Sequence, residues 1–247
     1  MTPLDQGDTL RAALALRVVI VALTLLLASR PAVARLLGLV GSSIASFVTL
    51  TAAVATLVAG GSSPGVLFLH RASQFSFSYD LDGLAAWFLI VLSTLAIPIA
   101  IFSIGYLADR HFDRRSVFVV AAFNVLVGAV EIVFVASDVI AFLFAWELMT
   151  LAAAALVTTH HEDPQSRRAA AVYLVMSHVA TGCLIAGFLV LASASGSLSF
   201  SILLSGDVVR GPMRDVLFAL FFFGFGVKAG IVPLHVWLPE AHPAAPT

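Results

Sequence analysis

The sequence predicts an all-α polytopic membrane protein, and its composition and its long apolar runs are the two observations behind this prediction. Of its 247 residues, 60% are hydrophobic and 11% are charged, and the mean hydropathy is +1.04. Soluble domains average about 45–50% apolar and about 25% charged residues. A soluble fold could not hide this much apolar surface from water, so we expect a protein that is integral to a membrane.

About seven segments are long enough to span a bilayer, since a hydrocarbon core of about 30 Å requires about 20 mostly apolar residues in a helix. A small extramembrane hairpin is predicted near residues 66–82, because QFSFSYD at 74–80 alternates polar and aromatic residues as a strand does. The predicted spans lie at approximately residues 12–29, 36–59, 84–104, 116–136, 139–158, 169–192 and 216–238.

The seventh segment contains its own helix breakers. Pro233 has no N–H to donate, and Gly230 adds flexibility, so we predict a broken helix near residues 224–238. Broken helices at membrane depth line ion sites and hydrated cavities. An ordinary proline kink is the alternative.

Arginines near the helix ends favour one orientation, because basic residues concentrate on the cytoplasmic side. The sequence therefore predicts an N-terminus outside and a C-terminus inside. In that orientation the inner side carries Arg30, Arg35, Arg110, Arg114, Arg115, Arg167 and Arg168, and the outer side carries Arg11, Arg17, Arg71, Arg210 and Arg214.

Four charged residues lie inside the predicted spans: Arg17, Glu131, Glu147 and Lys228. A charge at a helix centre costs about 2.5–3.5 kcal/mol on insertion scales, so such groups usually face the protein interior and act there. Arg17 lies near a helix end and is expected to extend towards the membrane surface. Glu147 and Lys228 lie roughly 13 Å and 18 Å along their helices at the rise of an α-helix, so both are expected near the bilayer midplane.

Glu147 and Lys228 could handle a proton together. A nearby carboxylate stabilises the charged form of a lysine, so a change in their separation changes the proton affinity of the amine. We predict that they form a proton-transfer pair. The alternative is a fixed ion pair that holds two helices together.

Three further residues are candidate members of a relay. Histidine exchanges protons near neutral pH, which suggests His178 and His235, the latter seven residues after Lys228 and expected on roughly the same helix face. Either histidine could instead be a buried packing residue. Glu131 is expected at a depth close to that of Glu147, where it would either supplement an outward-facing proton path or stay protonated and hydrogen-bonded between helices.

No motif indicates a redox cofactor. The single cysteine, Cys183, is incompatible with a cysteine-based metal cluster, and the sequence has neither a Gly-rich phosphate loop nor a dinucleotide fingerprint. We expect no cofactor and no metal in this chain. The net charge of −1 gives no sign of a nucleic-acid partner.

Two stretches resemble the signature motifs of the antiporter-like, proton-conducting membrane subunits of respiratory complex I: FAWELMTL (144–151) and GFGVKAGIVPLHVWLPEAHPAAPT (224–247). Similar proteins occur in formate-hydrogenlyase and hydrogenase-4 complexes and in multisubunit cation/proton antiporters. The second motif most resembles the hydrogenase-4 branch. The resemblance covers residues 70–247, and it implies that Glu147 and Lys228 are the family's proton-transfer pair.

The resemblance also implies an organisation. Residues 1–83 would hold two N-terminal helices and the hairpin, and residues 84–247 would hold the N-terminal part of the proton-conducting domain. Family members continue past this point, so we expect the chain to match their N-terminal half and to stop before the eighth helix.

The function implied is that of a membrane subunit contributing to proton translocation coupled to electron transfer, in an NADH-quinone oxidoreductase-like or hydrogenase-4/formate-hydrogenlyase-like complex of a bacterial or archaeal cell membrane. Its partners would be lipid, other membrane subunits and a peripheral redox arm carrying iron–sulfur clusters, and the chain itself would be non-redox. A subunit of a multisubunit cation/proton antiporter and a non-conducting assembly fragment stay open as alternatives.

Overall fold

The fold is built almost entirely from helices. The computed structural model describes residues 5–70, 75–107, 114–205 and 209–245. Within them the chain forms α1 (Gln6–Leu26), α2 (Pro31–Ala59), β1 (Ser63–His70), β2 (Phe75–Leu81), α3 (Gly83–Tyr106), α4 (Arg114–Val135), α5 (Val139–Val157), a 3₁₀ turn (Thr158–His160), α6 (Pro164–Ser195), α7 (Phe200–Leu203), α8 (Pro212–Ala229) and α9 (Leu238–Ala244).

Six of the described helices, α1 to α6, are long and apolar enough to cross a membrane. The prediction of an all-α polytopic membrane protein is therefore confirmed, with six such helices in the described ranges rather than seven. The orientation, with the N-terminus outside, stays a prediction, and two of the arginines that entered it, Arg71 and Arg110, lie outside the described residues.

The predicted seventh span is not one continuous helix. Helix α8 has 18 residues, carries three charged side chains and ends at Ala229. Gly230 follows with φ of 70°, a left-handed conformation that terminates helices and that glycine adopts without steric cost. Residues 232–237 form turns before α9 begins, so the break predicted near residues 224–238 is present and Pro233 lies within the turns.

Aspartates fix the starts of two helices in the second half of the chain. The Asp138 carboxylate accepts a hydrogen bond of 2.8 Å from the backbone N–H of Ala141, and Asp163 accepts one of 3.0 Å from that of Gln165. These side chains satisfy N–H groups that have no partner inside the helix, and their charge suits the positive end of the helix dipole. The Asp138 cap fixes the first turn of the helix that carries Glu147.

The chain divides into two compact units, Met1–Ala136 and Ser137–Thr247. The regions predicted from the family resemblance, 1–83 and 84–247, refer to the domain layout of the family and not to compact units of the structure. They stay a prediction.

A two-stranded hairpin packs into the first unit. Strands β1 and β2 are antiparallel, Ser63 lies opposite Leu81, and the turn that joins the strands lies outside the described residues. Tyr79 is 2% exposed and faces Gly65 across the ladder, where an added Cβ would lie 2.6 Å from the tyrosine ring. The aromatic ring thus fills the space that the glycine leaves. The hairpin is present as predicted, and its extramembrane location stays a prediction.

A buried ion pair crosslinks three helices of the first unit. Arg17 on α1 donates hydrogen bonds of 2.6 and 2.8 Å to the two carboxylate oxygens of Glu131 on α4. Helix α2 supplies hydroxyl partners to both charges: Ser46 accepts a hydrogen bond from Arg17 and Thr49 donates one to Glu131, each 2.8 Å long. Arg17 and Glu131 are 2% and 0% exposed.

The expectation that Arg17 extends towards the membrane surface is therefore wrong. Its guanidinium finds a bidentate carboxylate and a serine hydroxyl inside the protein, and these partners compensate the loss of solvation. The sequence carried a signal for this arrangement. Ser42, Ser46 and Thr49 recur at helical spacing, which places a polar stripe on one face of α2.

In the second unit, α6 and α8 approach closely at glycines. A Cβ on Gly224 would lie 2.5 Å from a methyl carbon of Leu184 and 3.0 Å from the carbonyl oxygen of Ala180. Aromatic side chains extend the packing, with Phe142 in ring contact with Phe188 and Phe225. This close approach holds the C-terminal end of α8 against α6.

Removing one partner of the buried pair should destabilise the first unit strongly. We expect Glu131→Gln to lower the free energy of unfolding by about 3–5 kcal/mol, because Arg17 keeps its charge without a counterion. The double variant Arg17→Met/Glu131→Met should recover most of that loss. Thermal unfolding of the purified protein in detergent measures both effects. Arg11→Met removes an exposed ion pair with Asp8 on the same helix and should cost less than about 1 kcal/mol. Equal losses in Glu131→Gln and Arg11→Met would contradict a buried pair.

The glycine contact predicts a second difference in stability. Gly224→Ala should destabilise the protein by about 1–3 kcal/mol, because the added methyl group overlaps α6. Gly182→Ala on α6 meets nothing within 4 Å and should be neutral or stabilising. The same unfolding assay compares the two variants. A tolerated Gly224→Ala would show that the helices are not in close contact there.

Candidate functional site

The candidate site lies within the second unit and is centred on Lys228, the sole lysine of the chain. Lys228 occupies the last turn of α8, where a positive charge interacts favourably with the helix dipole. The helix end is closed by two backbone hydrogen bonds, from Gly230 to the Val227 carbonyl and from Ile231 to the Gly226 carbonyl. This pairing is that of a Schellman motif, so the glycine turn fixes where the lysine leaves the helix.

Two neutral hydroxyls hold the Lys228 ammonium. Nζ donates a hydrogen bond of 2.9 Å to Thr150 Oγ1 on α5 and one of 2.8 Å to the Tyr173 hydroxyl on α6. The Thr150 hydroxyl donates its own hydrogen to the Trp146 carbonyl, 3.0 Å away, so its oxygen can accept the hydrogen bond from Nζ. Thr150 and Tyr173 are 0% and 3% exposed. The lysine head group is therefore held in protein, not in bulk solvent.

Aromatic rings add to this environment. Nζ lies 5.0 Å from the centre of the Tyr173 ring and 5.7 Å from the centre of the Trp146 ring. At these distances the negative faces of the rings attract a cation. We call Thr150, Tyr173 and Trp146 the lysine cradle.

Glu147 has a different partner. Its Oε2 lies 3.4 Å from Nε2 of His178, and Nδ1 of that histidine lies 2.8 Å from the Leu174 carbonyl oxygen. A carbonyl oxygen only accepts, so Nδ1 carries a hydrogen. Nε2 then meets the carboxyl group favourably if one further proton is present, either on the ring or on Glu147. The geometry brings together two groups that can share a single proton.

Glu147 and Lys228 are in the same unit but make no direct ion pair or hydrogen bond with each other in the described part of the chain. The second carboxylate oxygen, Oε1, is buried and has no hydrogen-bond partner among the described residues. Each charged group is thus held by other residues and not by the opposite charge.

The segment after the helix break returns to the cradle. The Trp237 indole donates a hydrogen bond of 2.7 Å to the carbonyl of Val227, the residue before Lys228, and its ring lies 5.1 Å from that of Tyr173. His235 lies in the turns beside Gly230. The expectation that it shares a helix face with Lys228 is wrong, because the helix ends before it.

The structure therefore gathers three of the sequence-predicted residues, Glu147, His178 and Lys228, in one unit with His235 beside the break. Glu131 belongs to the other unit, where it pairs with Arg17. Its predicted depth relative to Glu147 and its relay role stay predictions. In the described ranges no group of three or more His, Cys, Asp or Glu side chains could hold a metal ion.

Sequence reasoning missed the residues that contact Lys228. Thr150 follows Glu147 by three residues, a spacing that places both on one helix face. Tyr173 is a tyrosine in an apolar span, and buried tyrosine hydroxyls usually find a partner. Both signals were present in the sequence, but neither identifies Lys228 as the partner.

Comparison with known proteins gives consistent matches. Residues 136–247 match the family described as NADH:quinone oxidoreductase/Mrp antiporter, TM, and residues 69–116 match the one described as NADH-Ubiquinone oxidoreductase (complex I), chain 5 N-terminus. An uncharacterized protein of Mycobacterium tuberculosis is 42% identical over 168 residues, which is 68% of this chain and 25% of that protein. Hydrogenase-4 component B of Escherichia coli is 30% identical over 188 residues, 74% of this chain and 27% of that protein.

The fold is also similar to a solved structure. A chain of respiratory complex I from Thermus thermophilus superposes with a TM-score of 0.75 at 23% identity, over 94% of this chain and 46% of that one. The chain thus spans about a quarter of the length of these curated relatives and about half of the structural neighbour. With the two family matches and the helical architecture, these similarities show that the chain belongs to the antiporter-like membrane subunits of the complex I and Mrp superfamily.

Proposed function

We propose that this chain contributes to proton translocation coupled to electron transfer, as part of a membrane subunit in an NADH-quinone oxidoreductase-like or hydrogenase-4-like complex. The observation that carries the proposal is the Lys228 ammonium, which is held in protein by neutral hydroxyls while the acidic group of Glu147, in the same unit, contacts His178 instead. Such a lysine can be charged or neutral according to the state of that acid.

Glu147 is the group that would control the lysine. As a carboxylate it stabilises the ammonium; once it takes up a proton, that stabilisation is lost and Lys228 can release its own proton. The contact with His178 offers Glu147 a partner that can supply or accept this proton. His235, beside the helix break, is a candidate to extend the path.

A static ion pair explains this geometry less well. The Arg17–Glu131 pair shows what such a pair looks like in this fold: two short hydrogen bonds between the charges and hydroxyls around them. Lys228 also has hydroxyls around it, but no hydrogen bond joins it to Glu147 in the described part of the chain. Their separation favours a role in which the distance between the charges changes.

The similarity to hydrogenase-4 component B and to a complex I chain supports a place in a multisubunit respiratory complex. We propose that the partners are other membrane subunits, lipid and a peripheral redox arm with iron–sulfur clusters. The chain would carry no cofactor itself. The complex would lie in a bacterial or archaeal cell membrane, with the N-terminus of this chain outside and its C-terminus inside.

Proton uptake by inverted membrane vesicles tests the proposal. Vesicles that contain the complete complex are energised with NADH or with formate, and the internal pH is followed with a fluorescent dye. We expect Lys228→Met and Glu147→Gln each to lower proton uptake about a hundredfold, the scale of a lost proton-transfer group, with assembly of the complex unchanged. Glu162→Gln, which alters an exposed acid before α6, should leave uptake unchanged.

Three other outcomes of these experiments would favour a different function or contradict the proposal. Loss of assembly in Lys228→Met and Glu147→Gln would favour a purely structural role for the two residues. Exchange of Na⁺ for H⁺ without any electron donor would favour a cation/proton antiporter, and wild-type uptake in both variants would contradict the proposal.

The pairing of Glu147 with His178 generates a further expectation. His178→Phe keeps a planar ring but removes the nitrogen that contacts the carboxyl group. Proton uptake should fall by about tenfold or more, because the carboxyl group loses the ring nitrogen with which it can exchange a proton. The vesicle assay measures this loss. His161→Phe, at an exposed site, is the matched control. Wild-type uptake in His178→Phe would exclude this histidine from the relay.

A further inference from the structure

We propose that Tyr173 is a positioning residue that holds the Lys228 ammonium in a resting place away from Glu147. This inference rests on the proposed function, because it assigns the state of the lysine from which a transfer would begin. Tyr173 would not itself carry the proton. Its hydroxyl oxygen accepts a hydrogen bond from the ammonium.

The contacts of Tyr173 identify it as the main component of the lysine cradle. Its hydroxyl lies 2.8 Å from Nζ, the centre of its ring lies 5.0 Å from Nζ, and the residue is 3% exposed. It therefore attracts the cation through both its hydroxyl and its ring. Thr150 contributes a second acceptor from α5, and no other hydrogen-bond partner of Nζ is found in the described part of the chain.

The arrangement separates two opposite charges that could otherwise meet. Thr150 and Glu147 lie one turn apart on α5, yet the ammonium contacts the threonine and the carboxylate contacts His178. Hydrogen bonds to neutral hydroxyls are weaker than a charge-assisted pair with a carboxylate. The cradle can therefore hold the lysine at rest and still release it when Glu147 becomes available.

Trp237 connects this resting place to the helix break. Its ring packs against Tyr173, and its indole N–H is bonded to the carbonyl of Val227, next to Lys228 in the chain. A movement of the segment after Gly230 would shift both the ring support of Tyr173 and the backbone beside the lysine. The broken helix is thus mechanically linked to the cradle.

Several titratable groups lie on the elements packed around Lys228. They are Glu147 on α5, Arg167, Arg168, Tyr173, His178 and Cys183 on α6, Arg214 and Asp215 on α8 itself, His235 in the turns after α8, and Glu240 and His242 on α9. Glu240 is paired with Arg168. Of these groups, Tyr173 makes a hydrogen bond to Nζ, so its removal affects the ammonium directly.

The test compares Tyr173→Phe with wild type in the proton-uptake assay of the complete complex over a pH series. Phenylalanine keeps the ring and removes the acceptor. The charged lysine loses a partner, so we expect the alkaline limb of the pH profile to move to lower pH by about one unit, which is the tenfold change in equilibrium that a hydrogen bond to a charged group supplies. Thr150→Val should shift the limb in the same direction.

Thr181→Val is the matched control. Thr181 is also a buried threonine whose hydroxyl donates to the carbonyl four residues earlier, but it does not contact Lys228. It should leave the profile unchanged. A profile that stays at wild type in Tyr173→Phe, while Lys228→Met abolishes uptake, would overturn the positioning role and leave the proposed function intact.

Two further outcomes are decisive. If Lys228→Met retains uptake, the proposed function fails and the inference fails with it. If Tyr173→Phe does not assemble, Thr150→Val decides in its place, and an unshifted profile in that variant overturns the inference.

Discussion

A single ammonium group in an apolar helix bundle is the constraint on which the rest of this site depends. Moving a charge out of water is costly unless polar partners replace the lost solvation. In this chain the partners of Lys228 come from two other helices, Thr150 on α5 and Tyr173 on α6. The glycine contact between α6 and α8, the Asp138 cap of α5 and the turn at Gly230 all serve to bring these side chains to one point.

Arg17 and Lys228 show how the partners of a cation separate a structural role from a functional one. Arg17 is bonded to a carboxylate through two nitrogens and stays protonated in proteins, so its pair with Glu131 is a permanent crosslink. Lys228 makes two hydrogen bonds to neutral oxygens with its three N–H donors. Lysine also changes its protonation state readily when buried. The Arg17–Glu131 pair therefore keeps its charges and its partners, whereas the hydrogen bonds of Lys228 allow the amine to change its charge and its partner.

Much of the fold and of the candidate site could be predicted from the sequence, and the rest depends on how the helices pack. Apolar runs and motifs predicted the helices, the break near residues 224–238 and the residues Glu147, His178 and Lys228. Hydropathy could not predict that Arg17 and Glu131 meet, because residues 114 positions apart share no local pattern. The same limit hid Tyr173 and Thr150 as partners of the lysine. His235 was predicted on the helix face of Lys228 because helical periodicity was extended beyond Gly230, where the helix has already ended.

Nuclear magnetic resonance of the Lys228 side-chain nitrogen follows the charge of this amine and its change of partner. In complex labelled with ¹⁵N-lysine, the signal that disappears in Lys228→Met reports the charge and neighbours of this amine. We predict an ammonium in contact with Tyr173 carbons at rest, and a change to the neutral amine, or a contact with the Glu147 carboxyl carbon, within the pH range that supports proton uptake. A signal that stays charged and in contact with the Glu147 carboxyl carbon at every pH would instead show that Lys228 and Glu147 form a fixed ion pair.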